Sequence, residues 1–179
     1  MDASSSRPGP DWTPGRGSWQ NRLHLAVAVS CGWLIVTSPW VAMLHRIPDA
    51  ASWFDYAHVV LGCVVALLAL VYGWICLGSG RWRTYFPWVA GDVRAIGHDV
   101  KNLLRARFPS ADGGGLYSAI EGLLLVALLV TGLSGVTWLA MQGSASLAWR
   151  SAHLFFADFL IGLVIVHVLA VATHLFELA

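Results

Sequence analysis

Charge is scarce in this chain. Asp, Glu, Lys and Arg make up 12% of its 179 residues, where soluble domains carry about a quarter. That excludes an ordinary water-facing globular domain. The formal net charge of +1 names no partner, because where the charges sit matters more than their sum. Cysteine is also sparse: Cys31, Cys63 and Cys76 are an odd number and all fall inside apolar runs, which argues against a disulfide framework and reads them as small packing residues. No CxxC or CxxCH occurs, so a zinc knuckle and a covalently attached c-type haem are both excluded. A cleaved leader is not expected either. The first apolar run is longer than a leader's core, and no small-residue cleavage site ends it.

What is present is hydrophobic, at 57% of residues. Residues 1–18, "MDASSSRPGPDWTPGRGS", read as a short disordered tail. Four apolar segments follow, at about Leu23–Leu44, Ala57–Leu77, Leu116–Met141 and Ala148–Leu178. Each is long enough to cross ~30 Å of hydrocarbon at 1.5 Å per residue, and backbone groups in lipid must bond within the segment, so each is a helix. The expected architecture is all-α, an integral four-helix membrane bundle over residues 19–179 with a long connection at 78–115. Arg7, Arg16 and Arg22 precede the first span, and Arg81, Arg83, Arg94, Lys101, Arg105 and Arg107 lie in the long connection. Only Arg46 and Arg150 fall in the other two loops. This asymmetry places both termini and the 78–115 loop in the cytoplasm, in a multi-pass protein of the cell inner membrane. Trp40, Trp53, Trp138 and Trp149 then mark the outer interface, and Trp19, Trp74, Trp82 and Trp88 the inner one. A stretch from about Val89 to Arg107 interleaves basic and apolar residues and reads as a helix lying along the inner membrane surface.

Seven histidines stand out against this background: His24, His45, His58, His98, His153, His167 and His174. An ionisable side chain inside a span is costly and points to function, and a neutral imidazole is a good axial ligand for haem iron. His153 and His167 are separated by fourteen residues, about 40° short of four full turns, so they share one helix face about 21 Å apart. One face of the last helix can thus serve two irons at two depths. In the expected topology His58 lies level with His153 on the outer side. His24 lies on the inner side, toward His167. Depth leaves alternatives open, since His45 competes at the outer side and His174 matches His24 in depth on nearly the same face as His167. His98 reads as a water-facing loop residue. Gly62, one turn after His58, would admit a macrocycle to the backbone, as would Gly32 and Gly162, although each also suits close helix packing. Asp158 lies about 140° around its helix from His153 and is expected to face the third span as a neutral, hydrogen-bonded acid. Glu121, near the inner end of the third span, is a candidate acid for a quinone's proton.

Four spans, one histidine opening each of the first two, and H-x13-H on the last resemble the bacterial di-haem cytochrome b561 superfamily. That group includes the cytochrome b subunits of nickel–iron hydrogenases, the gamma subunit of formate dehydrogenase and thiosulfate-reductase-type cytochromes b. "HVVLG" at 58–62 is similar to the family's H-x-x-x-G, and "YFPWVAGDV" at 85–93 to its aromatic–Pro–Asp pattern. The chain departs at Leu25, where the family often has Trp after the first histidine. The resemblance, over residues 19–178, implies axial pairs His58/His153 (outer) and His24/His167 (inner), and so favours His167 over His174.

Three functions compete on these residues. The first is an electron-transfer subunit with two haem b, working between a quinone and a separate dehydrogenase, reductase or cytochrome, with no substrate site of its own. The second is a stand-alone superoxide:ubiquinone oxidoreductase, for which the outer side offers only Arg46 and Arg150 to attract an anion. The third is a haem-free membrane anchor, which four compatible histidines disfavour.

Overall fold

The computed structural model describes residues 16–80, 82–91, 93–105, 115–141 and 144–177, with backbone alone for 16–18, 20 and 173–177. The expected tail at 1–18 therefore falls mostly outside the described residues. Seven helices occur among them: α1 (Arg16–Thr37), α2 (Trp53–Gly78), α3 (Trp82–Tyr85), α4 (Pro87–Ala90), α5 (Arg94–Leu103), α6 (Leu116–Ala140) and α7 (Ser144–Glu177). Four are long and apolar enough to cross a membrane, with candidate spans Asn21–Trp40, Trp53–Gly78, Leu116–Ala140 and Ser144–Ala172. The all-α four-span architecture is as expected.

The boundaries differ from the hydropathy reading in several places; α1 and α2, for instance, begin earlier, at Arg16 and Trp53. The first helix does not run on to Leu44. Thr37 Oγ1 donates to the Trp33 carbonyl at 2.8 Å and Ser38 Oγ to that of Ile35 at 2.9 Å, while Pro39 has no N–H to extend the ladder. A single 3-10 turn, Ser38–Trp40, then releases the chain into the 41–52 loop. At the other end, α7 begins at Ser144 and not at 148. The surface helix expected at about 89–107 is interrupted at Gly91, whose φ of 76° closes α4 in a conformation glycine adopts without steric cost. Only Arg94–Leu103 forms α5.

α2 opens on a complete capping box. The Ser52 hydroxyl accepts the Asp55 amide, and the Asp55 carboxylate accepts the Ser52 amide. α6 has no side-chain cap of its own; Asp99 of α5 takes the amide of Leu116 at 2.8 Å, tying the long connection to the start of α6. The connection also folds back through α3, where the Tyr85 carbonyl lies against Gly122 so closely that a Cβ there would collide with it.

α6 is the hub, in contact with α7 along its length and with α2, α3 and α5; α1 packs on α2. At Gly132 a Cβ would stand 2.7 Å from that of Ala66, so glycine sets how near α6 and α2 come. Among the described residues α7 makes no extended backbone approach to α1 or α2. It meets α1 through side chains, in a cluster of Cys31, Ala127 and Leu160 with Ile35, Leu124, Leu128, Leu163 and Val164 around it. The rest of the gap between α7 and the α1–α2 pair, toward the short-loop end of the bundle, is open. Large apolar side chains such as Val36, Leu67, Trp74 and Phe155 cover the outside, as lipid requires.

Candidate functional site

The gap holds a cavity of about 240 Å³. Cys31, Ile35, Leu128 and Leu160 of the apolar cluster help form its wall. Facing one another across it are His58, one turn into α2, and His153, in the third turn of α7. Their ring centres are 6.2 Å apart with planes at 86°.

Each imidazole is held differently. His153 Nδ1 lies 2.9 Å from the Thr131 carbonyl and 3.4 Å from Ser134 Oγ. A carbonyl only accepts, so Nδ1 carries the proton and Nε2 keeps its lone pair. Ser134 Oγ donates to the same carbonyl at 2.8 Å. On α6, Gly135 makes room for the ring: a Cβ there would stand 3.1 Å from His153 Cε1 and Nδ1. His58 Nδ1, by contrast, is buried with no hydrogen-bond partner among the described residues, a costly condition for a polar ring atom. Gly62 lines the cavity beside His58 and has open space where a side chain would be. Gly32 and Gly162 also have open space there, but neither lies on this cavity's wall.

Three consecutive residues of the 41–52 loop close the short-loop end. The Ala42 amide donates to Asp55 Oδ1 at 2.8 Å. Arg150 Nε donates to the Met43 carbonyl at 2.8 Å, and Trp138 Nε1 to that of Leu44 at 3.0 Å. One backbone strap is thus pinned by α2, α7 and α6 in turn. Asp55 is 2% exposed, and its second oxygen accepts both the amide and the hydroxyl of Ser52 at 2.8 Å. Asp55 and Arg150 each precede a cavity histidine by three residues on its own helix, so the strap links the two histidine-bearing turns. The importance of Asp55 was missed in the sequence, although Ser52-x-x-Asp55 is a readable variant of the capping pattern.

At the long-connection end the other named residues gather. His167 on α7 is half-buried and within electrostatic reach of His24 on α1 and Glu121 on α6. Glu121 also reaches Tyr72 on α2, which shares a side-chain hydrogen bond with Tyr85 of α3. The two tyrosines were not singled out by sequence. The side chain of His174 lies outside the described residues. His45 is exposed on the 41–52 loop and is not on the cavity wall. His98 is exposed, beside Asn102 and Asp99. Asp158 corrects the expectation made for it. It is exposed and lines the cavity, and no described residue bonds to it. The reason is that α6 contacts α7 at His153, about 140° around the helix from Asp158.

Among the described residues no three His, Cys, Asp or Glu side chains converge to hold a bare metal ion. Two opposed imidazoles across an apolar gap suit a planar macrocyclic cofactor that brings its own equatorial ligands. Four spans around such a gap fit a membrane-embedded electron-transfer cytochrome. More particularly, the family model described as prokaryotic cytochrome b561 matches residues 16–178, and the chain belongs to that family. No curated protein and no solved structure gives a significant match. The protein is a multi-pass integral protein of the inner membrane.

Proposed function

We propose that this chain is a di-haem b-type cytochrome that carries electrons across the membrane between a quinone pool and a separate redox partner protein, as the membrane subunit of a respiratory oxidoreductase. His58 and His153 would hold the outer haem b, and His24 and His167 the inner one. The observation that carries the reading is the His58–His153 pair. The two rings face each other across the apolar gap, where they would hold the metal of a planar macrocycle between them. Their ring centres are 6.2 Å apart. The Thr131 carbonyl bond to His153 Nδ1 is the backing that metal-bound histidines use to fix tautomer and orientation.

When bound, two such haems supply one-electron transfer with no open coordination position for a substrate, so the chain's own task is to hold, orient and insulate. His153 is oriented by Thr131 and Ser134, and His58 by the capped first turn of α2. The apolar wall keeps water from the centre of the bundle. At the inner end Glu121, within reach of His167, would exchange a proton with a quinone. Both termini and the 78–115 connection lie in the cytoplasm, and the cytochrome domain begins with α1. The redox partner is a dehydrogenase, reductase or cytochrome, as for the hydrogenase, formate dehydrogenase and thiosulfate reductase subunits named above.

A pyridine haemochrome assay on purified protein tests the proposal. Two b haems per chain are expected, with His58→Ala or His153→Ala removing one and His24→Ala or His167→Ala the other. A colourless protein overturns the reading. Loss of the inner haem in His174→Ala, with retention in His167→Ala, would move the inner ligand to His174.

A further inference from the structure

The strap raises a question about Arg150 that its bond to Met43 does not answer. A guanidinium has five N–H donors in a planar fork and stays charged. Nε is used on the Met43 carbonyl; no hydrogen bond from the other two nitrogens, and no ion pair, is made to any described residue. Asp55, the nearest acid in the strap, has both oxygens taken by Ala42 and Ser52. Asp158 shares the cavity wall without pairing to it. Arg150 is nevertheless part-buried and lines the cavity. A cation in an apolar wall without an anion is costly, so its counter-charge belongs to what the cavity takes in.

We propose that Arg150 is the carboxylate-binding residue of the outer site and holds a propionate of the tetrapyrrole there. This rests on the bis-histidine reading above and adds to it a charged anchor at a stated residue. The placement suits the role. Arg150 precedes His153 by three residues, about 4.5 Å along the helix, so it sits one turn toward the loop end from the axial nitrogen. Its bond to Met43 aims the fork and fixes it, leaving Nη1 and Nη2 for a bidentate carboxylate contact. The ligand is thereby oriented with its acidic edge toward the short-loop end.

The test uses the full chain in detergent or lipid nanodiscs, with haem counted first, then a redox titration resolving the two centres and resonance Raman of the propionate bending modes. Arg150→Gln removes the charge. Arg150→Lys keeps the charge and loses the fork. Asp55→Asn loosens the strap while leaving the cavity cation in place. We expect Arg150→Gln to lower the outer midpoint by at least the equivalent of a tenfold loss in the reduction equilibrium, about 59 mV, because a cation near the centre favours the added electron. The propionate mode should shift, while the inner midpoint stays unchanged. Arg150→Lys should recover most of the midpoint, and Asp55→Asn, which loosens the strap but removes an anion, should not lower it. Loss of the outer haem in Arg150→Gln with retention in Arg150→Lys also supports the anchor. An unchanged outer midpoint in Arg150→Gln overturns the proposal, as do equal falls in Arg150→Gln and Asp55→Asn, which would make Arg150 a strap fastener only. Loss of the outer haem in both Arg150 variants overturns it likewise. A wild-type protein without haem would instead refute the underlying function, before any variant is compared.

Discussion

At Gly135 the packing leaves no margin. A Cβ there stands 3.1 Å from two atoms of the His153 ring, tighter than ordinary van der Waals contact, so the ring must give way by a few tenths of an ångström. Because Nδ1 is bonded to the Thr131 carbonyl, it cannot yield without stretching that bond. Gly135→Ala is therefore expected to keep the fold but shift the outer centre's spectrum and midpoint. Gly135→Val, with two more methyl groups pressed on the same ring, should lose the outer haem while the inner one remains. Optical redox titration of the two variants measures both effects. Overpacking of this kind costs about 1–3 kcal/mol. A wild-type outer spectrum in Gly135→Val would mean that His153 does not ligate. The histidines themselves were legible in sequence, since imidazoles are rare in hydrocarbon and their spacing assigns them a face. What backs them was not. The Thr131 carbonyl is a backbone group with no sequence signature, and Arg150 was read for its topological charge because nothing local announces a bond to a residue 107 positions away.

Among elements, the start of α2 carries the most consequence. Ser52 accepts the Asp55 amide at 3.2 Å and donates to Asp55 Oδ2 at 2.8 Å, and the other oxygen of that carboxylate holds the strap at Ala42. The cap is therefore both the N-terminus of a helix and the mount for the turn that bears His58. Ser52→Ala removes a hydroxyl with two bonds, and loss of an N-cap costs about 1 kcal/mol. A lower melting temperature is expected in detergent, with faster haem loss from the outer site than from the inner on warming. Equal rates at both sites would detach the cap from the site. The strap also shows why hydropathy misjudged the first span. "VAML" at 41–44 is as apolar as the helix before it, yet Pro39 and the Thr37 and Ser38 side-chain bonds turn it out of the helix. Met43 becomes buried as loop. Apolar composition reports that a segment avoids water; it does not report whether lipid or protein does the covering. The existence of the four spans was legible because ~20 apolar residues have few other uses, while their ends depended on side-chain bonds that only the folded chain reveals.

For the whole molecule, orientation decides which site faces which compartment. Nine of the eleven basic residues fall before or at the start of the first span or in the long connection, and only Arg46 and Arg150 at the short-loop end. Arg150 is moreover engaged with Met43, and Arg46 pairs loosely with Asp49 at 3.7 Å on an exposed loop. With only two basic residues, one of them paired, the short-loop end offers little positive charge to oppose translocation. Basic residues hold their loops on the cytoplasmic side, which would put the His58–His153 site toward the outer face and the Glu121–His167 group toward the cytoplasm. The long connection strengthens the bias because it is anchored as well as charged. Asp99 holds α5 to the start of α6, and the Tyr85 carbonyl seats α3 on Gly122, so Arg83, Arg94, Lys101 and Arg105 stay near one face of the bundle. Reporter fusions check this directly. A fluorescent protein that matures only in the cytoplasm should glow when fused after Ala179 or inserted near residue 110. A phosphatase active only outside the inner membrane should be silent at both positions and active within the 45–50 loop. The reverse pattern would exchange the two sites between compartments, placing Glu121 and the tyrosine pair at the outer face and requiring the partner protein to dock from the other side.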